Sequence, residues 1–164
     1  MKNRPVLKIK QTPIEKILNI IAFVIFLGSI LYILFEWSPM PNEVPGHYNA
    51  VGEVDRWGRK GELWIVPFVG LVLWVGLSIL EKFPHIHNYS NLTEDNAEQQ
   101  YKNSRLMLNF LKNEILLIFS YINWKDIQVA KGQAESLGIC FLPIFLIIIF
   151  GTLIFFVLRS LRLK

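Results

Sequence analysis

The stretch Leu106-Met107-Leu108-Asn109-Phe110-Leu111-Lys112-Asn113-Glu114-Ile115-Leu116-Leu117-Ile118-Phe119-Ser120-Tyr121-Ile122-Asn123-Trp124 decides the fold, because it mixes an apolar run with charge. Its clean apolar core is only Ile115 to Ile122, and Asn109, Lys112, Asn113 and Glu114 precede it. By hydropathy alone it is an amphipathic helix lying on a membrane surface. Read as a span, it is the third of four. The flanking segments choose between these readings.

Three other segments approach the roughly 20 apolar residues that cross a hydrocarbon core. They are Ile14 to Trp37, Leu63 to Leu80 and Ile139 to Leu158. Trp64 and Trp74 lie near the ends of the second, where indole rings suit the headgroup level. The N-terminal tail carries Lys2, Arg4, Lys8, Lys10 and Lys16 against Glu15, which orients that end to the cytoplasm. After the last stand Arg159, Arg162 and Lys164 with no acid, which orients that end the same way. Two cytoplasmic ends need an even number of crossings. The expectation is therefore an all-α protein of four transmembrane helices, 14–37, 63–80, 106–124 and 139–158. Residues 38–62 and 125–138 then lie outside and 81–105 inside. The whole of 1–164 is a single membrane domain.

Composition agrees: 52% of residues are hydrophobic and only 18% charged, where soluble domains carry about a quarter. The net charge of +4 does not indicate nucleic acid, since most of the basic residues flank apolar runs. One cysteine, Cys140, excludes a disulfide framework and a thiolate metal site. The first apolar run is longer than a signal h-region and no small-x-small cleavage site follows it, so it reads as a retained anchor. Thr93, followed by Glu94, Asp95 and Glu98, reads as an N-cap. From there to Trp124 no proline or glycine intervenes, and one long helix is expected, wet in its first half and buried in its second.

Within that helix Asn109, Asn113 and Ser120 fall close to one face, and buried amides need partners across a helix interface. Lys112 is near enough to the cytoplasmic end to snorkel back to water. Glu114 is deeper; an intramembrane acid is a functional-site candidate, or it is a carboxylate satisfied by neighbours.

The densest polar stretch runs from Pro45 to Lys60, between the first two spans. His47, Tyr48, Asn49, Gly52, Asp55, Arg56, Trp57, Gly58, Arg59 and Lys60 fall within it. A structured loop at the bilayer surface is expected, and it is the place to look for function. Trp57 and Tyr48 offer contact surface, and the cations suit acidic groups of a partner or lipid phosphates. His47 with Asn49, Glu53 and Asp55 is either a metal cluster or, the preferred reading, a hydrogen-bonded cap on the helix ends. His85 and His87 offer a second pair of ligands without an obvious third. No nucleophile–base set, His-Glu-x-x-His or phosphate loop is present, so no enzyme and no cofactor is expected.

Pro41, Pro45, His47, Asn49, Gly52, Asp55, Trp57, Gly58 and Lys60 form a pattern, Pro-x-x-x-Pro-x-His-x-Asn-x-x-Gly-x-x-Asp-x-Trp-Gly-x-Lys. It resembles the bacterial family of unknown function found at the N-terminus of SdpI-type immunity proteins. The run from His85 to Tyr89 and then Thr93 to Tyr101 resembles the second block of short stand-alone members. Gly46 and Ser90 depart from the pattern, standing where members carry an aliphatic residue and proline. The resemblance implies a multi-pass bacterial cell-membrane protein whose outer loop recognises a peptide toxin or another membrane protein. The runner-up from the residues themselves is metal binding or transport through His47, Asp55 and Glu114.

Overall fold

A computed structural model describes residues 4–163, so Lys2 and Lys164 of the basic tails lie outside the described residues. Helix α1 is Pro13–Glu36, α2 is Ile65–Leu80, α3 is Ala97–Ala130 and α4 is Phe141–Arg162. Strands β1 (Glu43–Tyr48) and β2 (Val54–Arg59) join α1 to α2. The chain is thus mostly helical but not all-α: the expected loop is an antiparallel hairpin.

The starts of α1, α2 and α3 have local causes. Thr12 and Glu15 form a reciprocal capping box at the start of α1, with Pro13 at the first helical position, where its missing N–H costs nothing. A 3-10 turn over Lys60–Trp64 leads into α2, so Pro67 falls in its first turn. Helix α3 starts three residues later than expected, its N-cap at Asn96 instead of Thr93. Thr93 and Asn96 exchange side-chain to backbone bonds of 2.8 and 3.2 Å, and Ala97 opens the helix.

Helix α3 is the hub, on which α1, α2 and α4 each pack. Its pairings fix direction. Arg105 meets Glu15, Asn113 meets Asn19, Gln128 meets Tyr32 and Lys131 meets Glu36, so α1 and α3 run the same way. Asn109, Lys112 and Asn113 meet Glu81, Ser78 and Trp74 in turn, and Gln100, Asn103 and Glu114 meet Ser160, Phe156 and Thr152. Both α2 and α4 therefore run opposite to α3.

Three helices are long and apolar enough to cross a membrane: Pro13–Glu36, Lys60–Leu80 and Phe141–Arg162. Their apolar side chains point outward, as at Val24, Leu31, Phe68, Ile147 and Phe155. The buried interior of α3 is polar instead, with Gln100, Asn103, Asn109, Lys112, Asn113 and Asn123 all nearly inaccessible. This reverses a water-soluble domain and is consistent with a membrane protein, in which lipid replaces water as the outer solvent. It also explains the weak hydropathy of α3, whose apolar neighbours shield it.

Candidate functional site: a hairpin clamped onto the helix ends

The hairpin turn is built by Asn49. Its side-chain oxygen accepts from the N–H groups of Val51 and Glu53 at 3.1 and 3.0 Å, an Asx-type turn. Gly52 closes the turn at φ +85°, a conformation that suits glycine. A Cβ there would sit 2.8 Å from the Gly138 carbonyl oxygen. The contact is close because the α3–α4 loop docks on the turn: Leu137 N–H donates to Gly52 O at 2.9 Å, and Glu53 bridges Ser136.

Further clamps hold the base of the hairpin. The Lys60 ammonium donates to the carbonyls of Trp37 and Met40 beyond the end of α1 and lies 4.9 Å over the Trp37 ring. The bonds tie the start of α2's leading turn to the chain just past α1. Lys60 is therefore a brace rather than a free cation for a partner. Tyr48 donates to Asp126 of α3 at 2.8 Å. Val44, Met40, Leu63, Ile33 and Ile127 pack as one apolar cluster at this end of the bundle. Pro45 is buried, and the register irregularities around His47 place Gly46 in a bulge. Arg56 uses that bulge: it donates to Gly46 O at 2.6 Å and to Glu62 at 2.9 Å, and a Cβ at Gly46 would collide with its guanidinium. Glycine at position 46 leaves room for the Arg56 guanidinium. A Cβ at Gly58 would likewise overlap the Glu62 carboxylate.

The motif thus divides in two. Pro45, Tyr48, Asn49, Gly52, Gly58 and Lys60 build and anchor the hairpin. His47, Asp55, Arg56 and Trp57 remain exposed, with Arg59 beside them. His47 Nδ1 and Asp55 Oδ1 lie 2.6 Å apart, both side chains exposed. Asn49 and Glu53 are spent on the turn and on each other at 3.2 Å, so they do not complete a metal set with His47 and Asp55. Among the described residues no group of three or more His, Cys, Asp or Glu side chains could hold a metal ion. His85 and His87 do not pair as ligands either. His87 Nδ1 lies 2.6 Å from Ser104 Oγ and Nε2 3.0 Å from Leu80 O, and burial lowers its pKa.

The intrahelical polar residues form a second constellation. Asn19 Oδ1 accepts from Asn109 at 3.0 Å and Asn113 at 2.9 Å, and Trp74 Nε1 donates to Asn113 at 3.0 Å. Lys112 does not snorkel to water. It is 2% exposed, 2.9 Å from both Glu81 and Ser78, with Trp74 beneath it. Glu81, just past the end of α2, draws it inward. Glu114 points to another interface, accepting from Thr152 of α4 at 2.6 Å, while its Oε2 has no partner among the described residues. Asn109, Lys112 and Asn113 are thus brought together and Glu114 is not.

Sequence reading missed Glu15, Arg105, Glu81 and Asp126. Arg105 clamps Glu15 at 3.0 and 2.9 Å and also holds the backbone carbonyls of Ile9 and Lys10. No local pattern marks a pair 90 residues apart. The helical spacing of Arg105, Asn109, Lys112, Leu116, Ser120, Asn123 and Ile127 was the available signal that this face of α3 is buried.

Residues 24–71 match the family described as Domain of unknown function (DUF1648). The match runs from within α1 through the hairpin into α2. A stretch of 52 residues is 44% identical to an uncharacterized protein of Archaeoglobus fulgidus, covering 32% of this chain and 27% of that protein. The chain thus spans about a quarter of that relative's length. No solved structure matches.

Proposed function

We propose that this is a non-enzymatic, four-span protein of a bacterial cell membrane, with both ends cytoplasmic, whose outward hairpin recognises a ligand or partner. The observation that carries the reading is the division of the DUF1648 motif. Its backbone-fixing residues are buried or half-buried and bonded, while His47, Asp55, Arg56 and Trp57 stay exposed on a hairpin whose turn and base are fixed. Rigid presentation of an aromatic and charged groups lowers the ordering cost of recognition.

The four crossings are supported by α3 running level with α1. From Glu15 to Glu36 is roughly 32 Å along a helix, close to the hydrocarbon thickness of about 30 Å. Arg105 and Lys131 of α3 pair with those same two residues. If α1 crosses, α3 crosses beside it.

The partner chemistry that fits is a peptide or membrane protein offering an apolar side chain to Trp57 and an acidic group to Arg59. The resemblance to SdpI-type proteins makes a secreted antimicrobial peptide the first ligand to try. Cells lacking the protein, cells carrying wild type and cells carrying Trp57→Ala/Arg59→Ala are challenged with secreted peptides and envelope stress. Protection by wild type that the double variant loses, at equal membrane abundance, supports the reading. Equal survival of all three strains overturns the immunity form of it.

A further inference from the structure

At the end of the bundle away from the hairpin lie residues 4–12, which form neither helix nor strand. They are tied there by Arg4 to the carbonyls of His85 and His87, and by Arg105 to those of Ile9 and Lys10. Between this strap and the turn after α2 lies a cavity of about 390 Å³. Two of its charged groups are already neutralised, Arg105 by Glu15 and Glu81 by Lys112. Two are not: Lys8 and Lys82 line the cavity, are exposed, and have no ion-pair partner among the described residues. The exposed apolar side chains Val6 and Phe83 line it as well.

We propose that this cavity binds a phosphate group presented by an acidic phospholipid. Lys8 and Lys82 supply the charge, and Val6 and Phe83 lie against the glycerol and upper acyl region. The amphipathic lining selects a lipid over free phosphate, since a free anion would gain nothing from two exposed apolar side chains. Position adds to this. The strap precedes the first apolar turn of α1, so the cavity sits where headgroups meet hydrocarbon, and in the four-span reading that is the anionic cytoplasmic leaflet. The strap is held by arginine–carbonyl bonds rather than by Lys8, so the site is preformed.

The proposal rests on the four-span reading only for the choice of leaflet. Its test is done in detergent micelles, where the number of crossings does not enter. Purified wild type is titrated with dihexanoyl phosphatidylglycerol, dihexanoyl phosphatidylcholine and inorganic phosphate, followed by microscale thermophoresis. Phosphatidylglycerol is expected to bind most tightly, and Lys8→Ala/Lys82→Ala to weaken it by about tenfold or more, the worth of two interfacial cations. Lys8→Arg/Lys82→Arg should retain binding, as should Lys125→Ala at the hairpin end. Circular dichroism and gel filtration confirm the fold of each variant. Undiminished binding by the alanine variant overturns the site. Equal affinity for phosphatidylcholine reduces it to an apolar groove, and equal affinity for inorganic phosphate overturns the lipid as its occupant.

Discussion

The Tyr48 hydroxyl reaches from the hairpin to α3 and donates a 2.8 Å hydrogen bond to Asp126. The contact spans 78 residues and joins the DUF1648 stretch to a helix outside it. Burial pushes the Asp126 pKa from 3.8 up to about 7, against the opposing pull of the Tyr48 hydroxyl. Burial, and then the charge of Asp126, push the Tyr48 phenol upward as well.

A pH dependence follows from that acid. In the folded protein Asp126 keeps its proton to about pH 7, whereas in the unfolded chain it releases it near 3.8. Between those values the folded state binds the extra proton, so this group's contribution to stability falls as pH rises and levels off above about 7. Asp126→Asn keeps an acceptor for Tyr48 and removes the titration. Thermal unfolding in micelles should show wild type losing stability relative to Asp126→Asn across that window. Parallel curves for the two proteins would sink the assignment.

The buried pair Lys112–Glu81 makes a second prediction. Both side chains are almost wholly enclosed, at 2% and 3% exposure. Removing one partner strands a charge, at a cost of about 3–5 kcal/mol, whereas replacing both by apolar residues of similar size is near neutral. Lys112→Met alone should therefore lower the unfolding midpoint sharply, and adding Glu81→Leu should recover most of the loss. A double variant less stable than either single one would show that the pair stabilises beyond its own desolvation cost.

How far the sequence was legible follows from which solvent each helix faces. Helices α1, α2 and α4 face outward with apolar side chains, so their runs stand out in composition. Helix α3 faces inward with amides and charges, and hydropathy alone cannot tell that from a helix on the surface. Its continuity was readable from the absence of proline and glycine; its partners were not. Asn19 looked like an interruption of an apolar run, yet it receives both Asn109 and Asn113. The hairpin escaped because its turn uses an Asn49 side chain and Gly52 rather than an Asn-Gly pair, and because Pro45 and Gly46 sit inside a strand where they weaken the expected pattern. The density of the motif marked the segment that folds as the hairpin. It could not separate Lys60, which is spent on the end of α1, from the exposed Trp57.

Gly52 should be the least replaceable glycine of the motif. Alanine there meets both the left-handed backbone, worth about 1–3 kcal/mol, and the Gly138 carbonyl in a docked loop. Gly52→Ala should free the α3–α4 loop, read as faster protease cleavage between 133 and 138 in micelles. Gly61→Ala, where a Cβ meets nothing within 4 Å, is the control and should leave cleavage unchanged. Equal cleavage of both variants and wild type would mean that the loop does not depend on the turn.

Orientation is tested by cysteine labelling, and the structure dictates where the cysteines belong. Lys60 and Lys131 are natural choices from the sequence, but Lys60 braces the end of α1 and Lys131 bonds Glu36 at 2.6 Å. Arg59 and Gln133 are exposed at the hairpin end, and Lys102 is exposed on the opposite half of α3. Cys140 is itself exposed, so the background must be Cys140→Ala. With four crossings, an impermeant maleimide on intact cells should label Arg59→Cys and Gln133→Cys, and Lys102→Cys only after permeabilisation. The alternative of three crossings protects position 133 together with 102. That outcome would require α3 to leave the side of α1, breaking the pairs that join Arg105 to Glu15 and Lys131 to Glu36, and with them the four-span reading.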